Sequence, residues 1–320
     1  MDKVRKSIFD STSKADLFYA LQSRFDSASK ADLFYALQSQ WCHKLRVYPS
    51  LLLSQIIDID RDRLSPKQRS MVNKSAVDLT FCDLDGHLLF SIDVDEVGGG
   101  FSCCDVYKEG REPLAPAQKE EIEFKLKVAN AADYPLIVVS DEEIQPMDVD
   151  DEESLTIIDG IIGQLVTIAE TNKFFDDKPK ASETEIEEFL SKVATEINPI
   201  VKKANEYAQL SFGHSDYGSS FEYFYDPPHL VEAESSSDDY THTGMSRLQD
   251  TALRVGCRVA IEAPDYPDLG IEETVWVRNF GSYIGWDGVW SCEISARSLA
   301  RDIAKYRALE KTCVVLAQSF

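Results

Sequence analysis

The sequence predicts an α/β chain: an α/β sandwich with a mixed central sheet over residues 26–144, followed by an acidic α+β region reaching the C-terminus. Three observations carry that expectation. Two β-rich runs, "AVDLTFCD" and "HLLFSIDVDE", are separated only by "LDG", and Asp-Gly between apolar runs is a strong hairpin signal. A charged amphipathic stretch, "AQKEEIEFKLKVANAA", then leads into "YPLIVVS", whose β-branched content suits a buried strand. Finally, the charge is split along the chain. Residues 1–140 hold 18 Lys+Arg against 21 Asp+Glu, a net of −3, which leaves 15 against 35, a net of −20, for residues 141–320.

The elements follow in chain order. "DSTSKADLFYALQSRF" (10–25) is repeated at once as "DSASKADLFYALQSQW" (26–41), with 13 of 16 positions identical. Each copy opens on Ser-x-x-Asp, Ser13 with Asp16 and Ser29 with Asp32, a capping-box-like start before apolar residues at helical spacing. Sixteen residues on a continuous helix rotate the second apolar stripe away from the first, so two short helices are expected and one copy occupies the domain site. The second copy, contiguous with the rest of the domain, is the better candidate. "LRVYPSLLLSQIIDID" reads as a strand, a turn at Pro49 and a short apolar element, and residues 61–75 have room for a short helix. The hairpin follows, then the glycine-punctuated "VGGGFSCCDVYKEGREPLAP", the charged helix and the buried strand.

Beyond an acidic segment at 141–154, "LTIIDGIIGQLVTIAETNKFF" reads as a helix. "SETEIEEFLSKVATEINPIVKKANEYAQL" reads as a second, capped at Ser182 and Glu185 and kinked at Pro199. Residues 212–245, rich in Ser, Gly, Asp and Tyr, suggest a flexible surface segment. "CRVAIEA", "ETVWVRNF" and "YIGWDGVWSCEIS" suit strands, and "ARSLARDIAKYRALEKTCVVLAQ" a terminal helix. The expected partition is therefore 1–25 as an extension with the duplicated helix, 26–144 as the sandwich, 145–212 as a helical region, 213–245 as a flexible acidic segment and 246–320 as a small α+β unit.

Composition narrows the function classes. No apolar run approaches the ~18–20 residues needed to span a bilayer, and no apolar stretch follows the basic residues near the N-terminus, so no membrane association and a cytoplasmic location are expected. Seven cysteines without C-x-x-C spacing fit reduced thiols better than a zinc site. Because Lys and Arg supply most nucleic-acid affinity, a DNA contact belongs to the N-terminal half, and the polyanionic C-terminal half suits a protein partner.

The hairpin holds the candidate chemistry. Strand alternation turns Asp93 and Asp95 to one face and Ile92 and Val94 to the other, and Asp78 starts the facing strand. Carboxylates on a buried strand need partners, and a cluster of them with no nearby Lys or Arg suits a hard divalent cation, Mg²⁺ or Mn²⁺.

The order of "SKADLFYALQ", "VYPSLLLSQIIDID", "KSAVDLTFCDLDGHLLFSIDVDE" and "FKLKVANAADYPLIVV" resembles a bacterial domain family of uncharacterised function in the restriction-endonuclease-like, PD-(D/E)XK superfamily, over residues 26–144. The resemblance implies a metal-dependent nuclease fold with possible DNA phosphodiester hydrolysis. By position it assigns metal binding to Asp78 and Asp93, and the first-helix carboxylate to Asp32 or its duplicate Asp16. Two features depart from the family pattern: Asp stands for Glu at positions 32 and 93, and Asp95 occupies the place of the lysine two residues on. Lys119, Lys125 or Lys127 on the following helix then has to supply the ammonium, with Lys125 as the catalytic candidate. The alternative is a catalytically degenerate nuclease fold acting as an acidic protein-binding or DNA-mimicking module; a third reading has the acidic half shutting the N-terminal cleft by Coulomb attraction.

Overall fold

A computed structural model of the 320-residue chain describes residues 3–4, 28–59, 64–95, 101–103, 106–108, 115–145, 147, 155–213, 217–226, 254–262, 270–278 and 296–318. They fall into two compact units, one up to Ile144 and one from Gln145 onward.

After a two-residue strand, Lys3–Val4, paired antiparallel with Ile57–Asp58, the first unit has α1, Ala28–Trp41, the second copy of the repeat; the first copy lies outside the described residues. Leu33, Phe34, Leu37 and Trp41 are buried at the spacing that puts them on one helical face. Four strands make the main sheet: β1 (Arg46–Leu52), β2 (Ala76–Cys82), β3 (Leu88–Val94) and β4 (Leu136–Val139), in the order β1-β2-β3-β4. The first two pairings are antiparallel and β3/β4 is parallel, so the sheet is mixed. A parallel neighbour requires a crossover, and α3 (Pro116–Ala131) lies within it. The short helix α2, Pro66–Val72, is capped by Ser65 with Pro66 in its first turn.

Pro49 is a correction. It makes no turn; it sits within β1, paired with Leu79. The strand tolerates it because β1 is an edge strand of the sheet, the place where a proline is accommodated in a ladder. The backbone instead departs from strand geometry one residue later, at Ser50, with φ 49°. The Asp85-Gly86 turn forms as expected, with Gly86 at φ 91°. The core on one side of this unit gathers Leu51, Ile56, Val77, Ile122, Leu126 and Val138, among others.

In the second unit α4 (Ile157–Asp177) and α5 (Glu183–Ile197) each begin with a reciprocal capping box, Thr156 with Asp159 and Ser182 with Glu185. Pro199 ends α5 outright where a kink was expected. Asn198 accepts hydrogen bonds from the amides of Ile200 and Val201 and so starts a new helix, α6 (Pro199–Phe212), which stops at Gly213 in the left-handed region. A third correction concerns residues 212–245. Gly218–Asp226 is a strand, β5, whose "FEYFY" pairs along its length with β6, Arg254–Glu262. Aromatic content outweighed the polar flanks there. Residues 227–245 and the expected strand "YIGWDGVWSCEIS" lie outside the described residues. With β7 (Ile271–Arg278) the antiparallel sheet has β6 at its centre, and the terminal helix α7, Ala296–Gln318, packs on β6, β7 and α6. No helix among the described residues is long and apolar enough to cross a membrane.

Helix packing in this unit is close enough to predict a result. A methyl group added at Gly163 on α4 would stand 2.9 Å from Cγ and 3.0 Å from the backbone Cα of Asn198, the residue that caps α6. Gly163→Ala therefore lowers the unfolding free energy by about 1–3 kcal/mol, the usual range for overpacking, and a thermal melt showing no loss would mean α4 and α6 sit further apart.

Candidate active site

Ladder pairing between β2 and β3 begins at Leu79↔Ile92, and one residue further brings Asp78 opposite Asp93. There the strands cease to bond backbone to backbone. The amide of Val94 donates to Asp78 Oδ2 at 2.8 Å, and the amide of Asp78 donates to Asp93 Oδ1 at 3.3 Å. Each carboxylate thus takes a hydrogen bond from the opposing strand where the sheet splays. On the other side, Asp78 falls between Pro49↔Leu79 and Leu51↔Val77, opposite the left-handed Ser50. Strand alternation puts Thr80 and Ser91 on the same face as the two acids, and these bond to one another and onward to Tyr134.

The opposing charges come from two helices. Lys125, on α3, donates to Asp93 Oδ2 at 2.8 Å, with side-chain exposures of 9% and 6%. Glu121, one turn earlier, lies 3.7 Å from the same ammonium. Lys30, in the first turn of α1, sits 3.1 Å from both oxygens of Asp78, with exposures of 17% and 22%. These contacts overturn the expectation of carboxylates without a nearby cation. The reason is tertiary: both lysines arrive from helices remote in sequence. Of the three lysines considered, Lys125 is the one that reaches Asp93. Lys127 is exposed and Lys119 is half-buried on the same helix.

The electrostatics follow from this geometry. Burial, then the neighbouring Asp93 charge, pushes the Asp78 carboxyl up to about 6, against the pull of Lys30 and the Val94 amide. Burial works to deprotonate Lys125. The Asp93 carboxylate outweighs it, helped by Glu121 and Asp78, and the ammonium is held above the ordinary lysine range. A cleft of about 520 Å³ opens over the group, lined also by Ser50, Lys74, Asp95 and Gln118. Asp95 is buried and its amide donates to Val139, so the strand-end aspartates are not solvated. Asp32 lies on α1, but its side chain, like all of Asp16, is outside the described residues.

Among the described residues, three metal-ligating side chains converge within 4.8 Å at Asp83, Asp85 and His87, on the hairpin turn and not at Asp78 and Asp93. Asp83 Oδ1 accepts the amides of Asp85 and His87, and Oδ2 lies 2.8 Å from His87 Nδ1. These are the bonds of an Asx turn closing the hairpin. Burial pushes the Asp83 carboxyl up, yet the bonds from His87 and Asp85 leave it below its ordinary value. Of the four described carboxylates that line the cleft, Asp78, Asp93, Asp95 and Glu121, the first two face each other across the splayed strands, and one or two carboxylates with water completing the shell is the protein contribution Mg²⁺ commonly takes. Every oxygen of the pair already carries a partner, Lys30 on both oxygens of Asp78 with the Val94 amide on Oδ2, and the Asp78 amide and Lys125 on Oδ1 and Oδ2 of Asp93, so a cation bound here would have to compete with an ammonium.

No protein-family model, curated protein or solved structure matches the chain.

Proposed function

We propose that the first unit is a Mg²⁺- or Mn²⁺-dependent nuclease of PD-(D/E)XK type that hydrolyses DNA phosphodiesters at the Asp78–Asp93 cleft. The observation that carries the reading is the contact of Lys125 with Asp93. An ammonium from α3 stands beside the second acid, supplying the charge that Asp95 cannot supply from the strand. Asp78 and Asp93 would hold the cation, which lowers the pKa of a coordinated water and offsets charge developing on phosphorus. Lys125 is buried, its ammonium form favoured and fixed by Asp93, so it is pre-organised to stabilise anionic oxygen without rearrangement. Lys74 on the cleft wall gives a substrate phosphate a further positive partner. DNA is the expected partner of this unit, with residues 141–320 left to engage protein.

The second reading, a degenerate fold used for binding, has its own support. Lys30 and Lys125 already balance the two acids, so the site is satisfied without a cation. Supercoiled plasmid separates the two. Under the nuclease reading the chain nicks it with Mn²⁺ or Mg²⁺, chelator stops the reaction, and Asp78→Ala lowers the rate by at least roughly 10²-fold while circular dichroism stays native. Absence of metal-dependent nicking by the wild type, or full activity in Asp78→Ala, removes the nuclease assignment.

A further inference from the structure

The two lysines of the site are not equivalent. Lys125 is enclosed, bonded to one oxygen of Asp93 and flanked by Glu121. Lys30 lies at the cleft, more exposed, with its ammonium 3.1 Å from each oxygen of Asp78. An approach equidistant from both carboxylate oxygens lies on the bisector of the group, where a chelated cation would also be stabilised. One positive charge and a divalent ion cannot both take that position. The side chain of Lys30 is long and rotatable, and it lines the open cleft, so its head can turn away from Asp78.

We propose that Lys30 is the resident counter-ion of the cation site: its ammonium holds the bisecting position on Asp78 in the metal-free protein, a divalent ion must displace it, and this competition sets the cation concentration at which the site fills. The proposal rests on the reading of Asp78 and Asp93 as metal ligands. The ammonium neutralises Asp78 beside Asp93, two acids that repel one another across the strand ends, and keeps the empty site folded. Removing Lys30 takes away the competitor and leaves the repulsion for the metal to relieve.

Mn²⁺ binding to the whole 320-residue chain, measured by electron paramagnetic resonance and calorimetry, tests this with Lys30→Met, Lys30→Arg and the site control Asp93→Asn. Lys30→Met is expected to bind Mn²⁺ on the order of tenfold more tightly than the wild type. Its melting temperature in chelator is expected to drop, and added Mn²⁺ to raise it by more than in the wild type. Lys30→Arg is expected to bind more weakly, because the guanidinium fork grips both carboxylate oxygens. Wild-type binding that Asp93→Asn abolishes, combined with unchanged or weaker binding in Lys30→Met, overturns the role of Lys30 and leaves the site standing. Absence of Asp93-dependent Mn²⁺ binding in every variant overturns both. Should Lys30→Met not fold, the arginine variant decides: affinity equal to or above wild type overturns the proposal.

Discussion

Replacing Lys125 with methionine is expected to destabilise the first unit by about 3–5 kcal/mol, the range found when one partner of a buried ion pair is removed. The side chains of Lys125 and Asp93 are 9% and 6% exposed, so water reaches neither readily. Methionine fills much of the volume of the lysine stem but leaves the Asp93 carboxylate buried, uncompensated and across from Asp78. The loss therefore comes from the stranded charge and not from a cavity. Adding Asp93→Asn to Lys125→Met removes that charge and is expected to recover most of the stability, since a neutral amide still accepts the amide hydrogen of Asp78. Urea titration read by hydrogen exchange at Ile92–Val94 measures both variants on the strand concerned. A double variant as unstable as the single one would mean the pair is not coupled and that Lys125 acts through its aliphatic stem.

The same pair shows where sequence reasoning reaches and where it stops. The hairpin was legible because alternation and Asp-Gly chemistry are local, and the observed register puts Asp78 opposite Asp93 as that pattern implies. Lys125 was accessible as one of three lysines on the next helix. What separates it from Lys119 and Lys127 is the rotation of α3 against the sheet, decided by which apolar residues pack: Ile122, Leu126 and Ala129 enter the core, and Lys125 is carried inward with them. Lys30 left no trace in the sequence. It meets Asp78 across 48 positions, through the docking of α1, and no spacing rule spans such a distance. Pro49 misled for a related reason, since a proline signals a turn unless the strand is at an edge, and strand order is a tertiary property. The strand at Gly218–Asp226 was hidden by its polar flanks, although the alternating aromatics within it were a usable sign.

Asp78→Asn is expected to stabilise the metal-free protein at pH 7 by on the order of 2 kcal/mol and, under the proposed nuclease reading, to abolish cleavage. The sign follows from the carboxyl being pushed up to about 6 in the fold from its ordinary 3.8. Between these values the folded state binds the proton more tightly than the unfolded state, so stability is fully present below about pH 4 and is lost as pH rises through 6. Asparagine imitates the protonated form at every pH. It keeps an acceptor for the Val94 amide, ends the repulsion from Asp93, and removes the charge that Lys30 pairs with. The advantage of the variant should accordingly shrink as pH falls from 7 and vanish near pH 4, in chemical denaturation with chelator present. A destabilised variant at pH 7 would instead make Asp78 a structural partner of Lys30 and favour the binding-module reading. Stability gained at the expense of activity is the behaviour of a group held in its place for chemistry, against the preference of the fold.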